Sequence, residues 1–417
     1  MGTLRQQSDK GTLLLIGGAG PAPLGVDIAL LLIEQARSRK LRIHMMNQSS
    51  ALEATVRACA MSDTISIVDF EDVAESLLWA RDLPRNAAER YVVFSTREYA
   101  QITAAEISAL LGVSGNTPDA VRRVRLKDQC RAALAQAGFR QPRVWLCRSA
   151  DDATLAVGSS VGPWVVKPRD SAGSQGVTLV LERSDLRDAL STLPEATAFI
   201  VEEFVNGSEY SIEGLFRGGK PEILAITEKE KGPLPFFAEI GHVLPANLPV
   251  ETEQSIRAEV VKALEVLDLR FGLFHVELWL TEEGVVMGEV HGRLGGDYIH
   301  RMLAHAIPGL EMFGEVFDDA LHDLSTPVRR GLRAAACRFF TPPPGKLVSV
   351  EGWSEVTSHP SILAAELSIS IGDTIKPLRS SDDRVGAIVV GGETAADAKR
   401  LASELAGRVS FDVSQPS

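Results

Sequence analysis

Three apolar, strand-like segments of this chain each carry one charged residue in their interior: Trp164-Val-Val-Lys167, His275-Val-Glu277-Leu278 and Gly288-Glu289-Val290. A lone charge buried in such a segment costs several kcal/mol unless it finds a counter-ion or a ligand. The chain must therefore fold so that these charges share a polar interior. Lys167 is followed by the glycine-bearing run Asp170-Ser-Ala-Gly-Ser-Gln-Gly176, whose backbone amides can approach an anion closely. Glu277 and Glu289 stand 12 residues apart, on equal arms about the tight turn Glu282-Glu-Gly284. That symmetry predicts a hairpin with both carboxylates at one end, able to share a hard cation through oxygen. Arg293 follows on the exit from the second strand, and Gly295-Gly296 give its loop freedom. Cations and backbone donors for a polyphosphate, with carboxylates for its divalent metal, are the chemistry of a nucleoside triphosphate site. His291 is placed either as a third metal ligand or as a packed core histidine.

Composition narrows the setting. A length of 417 residues predicts two to four packed units. The 45% apolar and 24% charged residues belong to a soluble globular chain. Apolar runs such as Ile28–Ile33 are far short of the roughly 20 residues that span a bilayer, and the polar N-terminal decapeptide lacks a signal core, so a cytoplasmic location is expected. A net charge of −12 with no long Lys/Arg run argues against nucleic-acid binding. Arg122, Arg123 and Arg125 read as a solvated helix entry. The four cysteines show no CxxC spacing and read as reduced thiols.

Strands at 12–16, 41–46 and 90–95, with a helix at 25–37, predict a parallel sheet with crossover helices. The turn Gly17-Gly-Ala-Gly20 could cradle an anion, but Pro23 replaces the third glycine of a dinucleotide fingerprint and Asn47 stands where an acid would be expected. A helix at 127–137 leads to strands at 164–167 and 177–181 flanking the glycine loop. Further strands are expected at 199–204, 209–216, 274–280 and 285–290, with a helix at 253–267. Residues 228–250, rich in Pro, Gly and aromatics, read as a long functional loop. A small α+β unit follows, with strands near 368–371 and 386–390 and a helix at 394–405.

Two pattern matches are discarded. Gly158-Ser-Ser-Val-Gly162 fits a nucleophile elbow but precedes a strand, where the elbow cannot form. Gly214 to Lys220 resembles a phosphate loop, yet Pro221 replaces the Ser/Thr that would bind metal, and the segment reads as a hairpin turn.

Together these residues resemble the ATP-grasp superfamily of carboxylate–amine ligases, with most similarity to bacterial L-amino acid ligase-like members. The resemblance implies an α/β and α+β multidomain chain: a parallel-sheet pre-ATP-grasp domain at 1–120, the ATP-grasp small lobe at 121–198, the large lobe with the metal site at 199–332, and a C-terminal α+β subdomain at 333–417. It implies that Lys127 and Lys167 hold ATP phosphates, that the loop bearing Ser171, Gly173, Ser174 and Gly176 closes over them, that Glu202, Glu203 and Val205 face adenine, and that Glu209 faces ribose. The family's Glu-x-Asn-x-Arg motif reads Glu289-Val-His291-Gly-Arg293 here, so histidine replaces an oxygen ligand. Magnesium, or manganese in its place, would be held by Glu277 and Glu289, with His291 as the further candidate. His242, Arg293, Gly295 and Gly296 would border the substrate. The implied reaction activates an amino acid or small carboxylate as an acyl phosphate and couples it to an amine, with Arg293 and Lys167 opposing the transferring charge. Alternatives on the same fold are a purine-biosynthetic or carboxylating enzyme, or a regulator without turnover. Homodimers are common among such enzymes.

Overall fold

The computed structural model describes residues 10–85, 89–194, 198–323, 329 and 331–414. Alternating strands and helices at the N-terminus form a four-stranded parallel sheet in the order β3-β2-β1-β4, from β1 (Gly11–Ile16), β2 (Leu41–Asn47), β3 (Thr64–Ile67) and β4 (Tyr91–Phe94). Every residue of β1 is buried, as a parallel strand covered on both faces requires. The turn after β1 takes positive φ at Gly17 (77°) and Gly18 (49°), and Asn47 Nδ2 donates to the Ala19 carbonyl at 3.1 Å. The asparagine thus braces this turn. Helix Pro23–Ser38 begins on a proline, whose missing N–H is no loss at a first helical turn.

A four-stranded antiparallel sheet, ordered β5-β8-β6-β7, comprises β5 (Val144–Cys147), β6 (Trp164–Pro168), β7 (Thr178–Val180) and β8 (Phe199–Glu203). It has its own core of Trp164, Val166, Val180, Phe199 and Val201. The glycine loop joins β6 to β7. Phe199–Glu203, expected in the large lobe, pairs instead between β5 and β6, so the boundary expected at 198/199 cuts this sheet.

An eight-stranded antiparallel sheet forms the main body, ordered β13-β12-β9-β10-β11-β14-β18-β16. Its strands are β9 (Ser208–Arg217), β10 (Lys220–Lys231), β11 (Glu239–Leu244), β12 (Leu273–Thr281), β13 (Gly284–His291), β14 (Ala334–Phe339), β16 (Ile362–Leu367) and β18 (Gly386–Gly392). A three-stranded sheet, β17-β15-β19, completes the C-terminal part with β15 (Gly345–Glu351), β17 (Thr374–Ile375) and β19 (Ser410–Ser414). The large sheet crosses residue 333 without a break, because β11 pairs directly with β14.

Two expectations are corrected here. Residues 228–250 are not one irregular loop: β10 runs to Lys231 and β11 spans Glu239–Leu244, the two pairing antiparallel. The alternation Glu228-Lys229-Glu230-Lys231 hid a strand whose two faces both carry charge. The strand expected at 368–371 lies at Ile362–Leu367. Helix Ala395–Gly407 forms as expected, with Thr394 accepting from the Asp397 N–H at its start.

The N-terminal sheet and the main body share one apolar core, in which Leu13, Leu32 and Phe94 meet Phe313, Phe317 and Ala335. Phe94 packs edge-on to Phe313 and Phe317, at 6.1 and 5.7 Å between ring centres. Arg39 pairs with Asp318 at 2.8 Å across the same junction. This seam carries N-terminal residues to the edge of the site. Among the described residues no helix is long and apolar enough to cross a membrane.

Candidate active site

A cavity of about 440 Å³ opens between the small sheet and the large one, with N-terminal and C-terminal residues at its rim. At its centre β12 and β13 run in register from His275↔His291 to Val276↔Val290, then shift to Leu278↔Met287. The shift is a β-bulge: Gly288 and Glu289 stand against Glu277, which aims both carboxylates at the cavity. Glycine is required at 288, where a Cβ would meet the Glu277 carbonyl oxygen at 2.8 Å.

Cations surround the carboxylates. Lys127 Nζ lies 3.2 Å from Glu289 Oε2 and donates to the Ser171 carbonyl at 2.7 Å. Lys167 Nζ lies 2.7 Å from Glu202 Oε1 and 3.8 Å from Glu289 Oε1. Both lysines are nearly fully buried, so the sequence reading of Lys167 as an ammonium in need of a partner is answered by Glu202. Lys229 Nζ sits among three acids, 2.9 Å from Glu277, 3.0 Å from Glu209 and 3.2 Å from Glu239. Burial alone would raise the Glu277 and Glu289 carboxyls. For Glu277 the field of Lys229 and the hydrogen bond from His275 reverse this and hold it well below the usual range; for Glu289 Lys127, His291 and Lys167 do the same. Burial would lower His275, but Glu213 at 3.0 Å and Glu277 at 3.2 Å push it up to about 9. It is a charged histidine at neutral pH.

His291 stands between Glu289 (3.5 Å) and Glu98 (3.3 Å), and Arg293 Nε pairs with Glu98. Among the described residues no three His, Cys, Asp or Glu side chains are arranged to hold a metal ion, so Glu277, Glu289 and His291 do not form a protein-only ligand set. The two carboxylates nevertheless suit Mg²⁺, which is commonly held by one or two carboxylates with the remaining positions filled by phosphate oxygens and water.

The other expected site residues distribute as follows. Ser171, Gly173 and Ser174 border the cavity; Gly176, at φ 66°, backs against Pro168 and the Thr192 carbonyl instead. Glu202, Glu203 and Val205 all border it, but neither glutamate turns its carboxylate to a base. Glu202 is clamped by Lys167 and by Arg131 at 2.7 Å, and Glu203 pairs with Arg143 at 2.7 Å. Glu209 is engaged by Lys229 and, at 2.9 Å, by Lys231. His242 is buried on β11 with Nε2 2.9 Å from Asp297 Oδ2. Gly296 borders the cavity, whereas Gly295 lies under His275, whose Nδ1 a Cβ there would meet at 2.6 Å. The arginines of 122–125 are not a solvated run: Arg122 pairs with Glu106, and Arg125 is mostly buried, 2.9 Å from Glu98 and stacked 4.6 Å from the Tyr99 ring.

Sequence reasoning gave no site role to Glu98, Lys229, Asp297 or Arg384, although Arg384-Val-Gly386 resembles a small closing unit of the L-amino acid ligase-like branch. Glu98 lies at the start of an N-terminal helical turn and holds Arg293, His291 and Arg125 together; burial would raise its carboxyl, but Arg293, the His291 contact and Arg125 hold it well below the usual range. Lys229 sat in an alternating charge run that looks like a solvated surface. Asp297 and Arg384 are 87 residues apart and meet only through the fold.

Residues 160–301 match the family model of the ATP-grasp domain, and residues 338–414 match that of the L-amino acid ligase C-terminal domain 2. The chain is 27% identical to alanine–anticapsin ligase of Bacillus subtilis over 52% of its own length and 54% of that protein's. It is 28% identical to human carnosine synthase 1 over 40% of its length, spanning 21% of that longer protein. The solved L-amino acid ligase of Bacillus licheniformis superposes with a TM-score of 0.80 at 21% identity, covering 98% of this chain and 100% of that one. These matches give the chain an ATP-grasp domain followed by an L-amino acid ligase C-terminal domain 2, on the fold of the solved L-amino acid ligase. That C-terminal domain agrees with the sequence reading.

Proposed function

We propose that this chain activates a small carboxylate, most plainly an amino acid, with ATP and joins it to the amine of a second amino acid. The observation that carries this reading is the convergence of Lys127, Lys167, Glu277, Glu289 and the glycine loop on one cavity. Lys127 and Lys167 hold the phosphates, and the amides of residues 171–175 cover them. Val205, whose N–H makes no backbone hydrogen bond among the described residues, borders the same cavity along with Phe204 and Phe237, and its backbone supplies an edge for the base. Glu202 then keeps Lys167 in place, and Glu209 reaches the ribose.

A carboxylate is a poor acyl donor because oxide cannot leave. Attack of its oxygen on the γ-phosphorus releases ADP and yields an acyl phosphate; attack of the amine nitrogen on the acyl carbon then releases phosphate and a proton. Bound magnesium would neutralise the phosphate oxygens from Glu277 and Glu289. Arg293, fixed by Glu98, opposes charge on the transferring group. The closed glycine loop keeps water from the acyl phosphate. The similarity to alanine–anticapsin ligase, named for joining an amino acid to a second molecule, and to carnosine synthase supports this substrate class.

The test is ADP release with paired amino acids in the presence of ATP and Mg²⁺, with product masses recorded. A dipeptide-like mass appearing with ADP is expected, and loss of at least about a hundredfold in the Glu277→Gln/Glu289→Gln double variant. ADP release from neither single amino acids nor pairs, or undiminished release in that variant, refutes the reading.

A further inference from the structure

The turn 380–384 of the C-terminal part reaches both ends of the cavity. Its shape is set locally: Ser380 and Asp383 cap one another's backbone across a short 3-10 turn, Ser381–Asp383. On one side it grips the tip of the glycine loop. The Ser381 N–H donates to the Gly173 carbonyl at 3.1 Å, and Gln175 Nε2 donates to Asp382 Oδ2 at 2.6 Å. On the other side Ser381 Oγ donates to Glu239 Oε2 at 2.9 Å, and Arg384 donates to both oxygens of Asp297, at 2.9 and 2.7 Å. Arg384 Nε also donates back to the Ser381 carbonyl at 2.8 Å, so the two grips share one turn.

The Asp297 end is under constraint. Asp297 and Tyr298 both take left-handed backbone, with φ 54° and 62°, a conformation that non-glycine residues hold only when their surroundings enforce it. The bidentate Arg384 pair and the His242 contact supply that enforcement. Arg384 is itself packed 3.6 Å over the Phe339 ring, on the sheet strand next to that of His242.

We propose that the 380–384 turn is a working wall of the site: it holds the glycine loop shut over the nucleotide phosphates, and Arg384 is a positioning residue that fixes Asp297 and, through it, His242. Loop closure and the geometry of the opposite end are thereby coupled through the C-terminal part. The inference rests on the proposed ligase reading, but its first readout needs only nucleotide binding.

Two substitutions at one position separate the contacts. Ser381→Pro suits the first residue of the turn, whose preceding Ser380 is extended (φ −144°, ψ 173°), and removes the N–H given to Gly173. Ser381→Ala keeps that N–H and loses only the hydroxyl contact with Glu239. Amide hydrogen exchange across 172–176 is measured with Mg²⁺ and a non-hydrolysable ATP analogue. Ser381→Pro is expected to speed exchange on the order of fivefold over Ser381→Ala, as loss of one backbone hydrogen bond implies, and to raise the ratio of ADP released to amide formed. Arg384→Ala is expected to raise the KM for the amino acid substrates more than that for ATP, with Arg384→Lys restoring only part because an ammonium lacks the planar fork whose two N–H groups meet the two Asp297 oxygens in parallel. Should Ser381→Pro not fold, Gln175→Ala/Asp382→Ala removes a solvent-exposed contact of the same grip and is read the same way. Exchange and ADP-to-amide ratio equal to those of Ser381→Ala overturn the latch. Failure of the parent to release ADP with any amino acids would overturn the ligase reading instead, while the exchange result would still decide the latch.

Discussion

Glu202 offers the sharpest energetic test, because its role is as much to stabilise the fold as to prepare Lys167. Its side chain is only 4% exposed and stands 2.7 Å from both Lys167 Nζ and Arg131 Nε. At an effective dielectric of about 20, each contact is worth roughly 6 kcal/mol of Coulomb attraction, before the cost of taking the charges out of water. The carboxyl is held below its usual range despite burial that raises it, because Arg131 and Lys167 outweigh desolvation. Removing one partner of a buried pair typically costs about 3–5 kcal/mol, since the charges left behind keep their desolvation penalty. The lower end applies to Glu202→Ala. Arg131 retains the Met287 carbonyl at 2.7 Å and Gln141 at 3.0 Å, and Lys167 retains Glu289. A loss of about 3 kcal/mol corresponds to a fall of roughly 6–12 °C in Tm for a unit of about 200 residues. Thermal unfolding followed by circular dichroism, without nucleotide, measures it. The triple replacement Arg131→Met/Lys167→Met/Glu202→Leu, which removes the whole charge cluster, should recover most of the stability while abolishing ATP use. A Tm within about 2 °C of the parent for Glu202→Ala would refute the claim that this buried network supports the small sheet.

Further outcomes follow from the same geometry. Gly288→Ala should cut ADP release about tenfold to a hundredfold with little loss of fold, since its Cβ must displace the Glu277 carbonyl and so misplace a carboxylate; steady-state kinetics at saturating ATP report it, and parental kinetics would contradict the bulge argument. Lys229→Met leaves Glu209, Glu239 and Glu277 without their shared ammonium, so Tm should fall by several degrees and be partly regained on adding Mg²⁺; an Mg²⁺ response no larger than the parent's would count against metal binding at Glu277. The junction His300–Asp27–Arg301 sets a pH dependence. Burial lowers His300; burial would raise Asp27, but hydrogen bonds from His300 and Arg301 hold its carboxyl below the ordinary range. Both folded-state values are depressed, so the stability they contribute is present above the ordinary values of 6.5 and 3.8 and is lost as pH falls, first through His300 and then through Asp27. The urea midpoint of the parent should drop from pH 7 to 5 and again to 3, and the gap between parent and Asp27→Asn should narrow between pH 5 and 3; a gap that widens there reverses the sign and refutes the assignment.

Local pattern alone determined a good deal of this protein. The turn at Glu282-Glu-Gly284 made the β12–β13 hairpin and the nearness of Glu277 to Glu289 legible, although simple register from the Thr281↔Gly284 pair would set Gly288 opposite Glu277, and only the bulge, which no spacing announces, brings Glu289 there. The apolar surroundings of Lys167 and the glycine run after it pointed to the end of the cavity proposed for the phosphates, since a charge in an apolar strand is anomalous wherever it occurs. Resemblance then supplied the ligase class. What no local pattern could show is which charges neutralise one another. The alternating β10 segment looks solvated until β9, β11 and β12 enclose Lys229 with acids from three strands. Glu98 becomes the clamp of Arg293 only because the N-terminal sheet shares its core with the main body, and Asp297 meets Arg384 only because β14 extends the large sheet into the C-terminal part. Backbone pairing is dictated over a few residues, whereas electrostatic partnership depends on distances set by the packing of whole sheets.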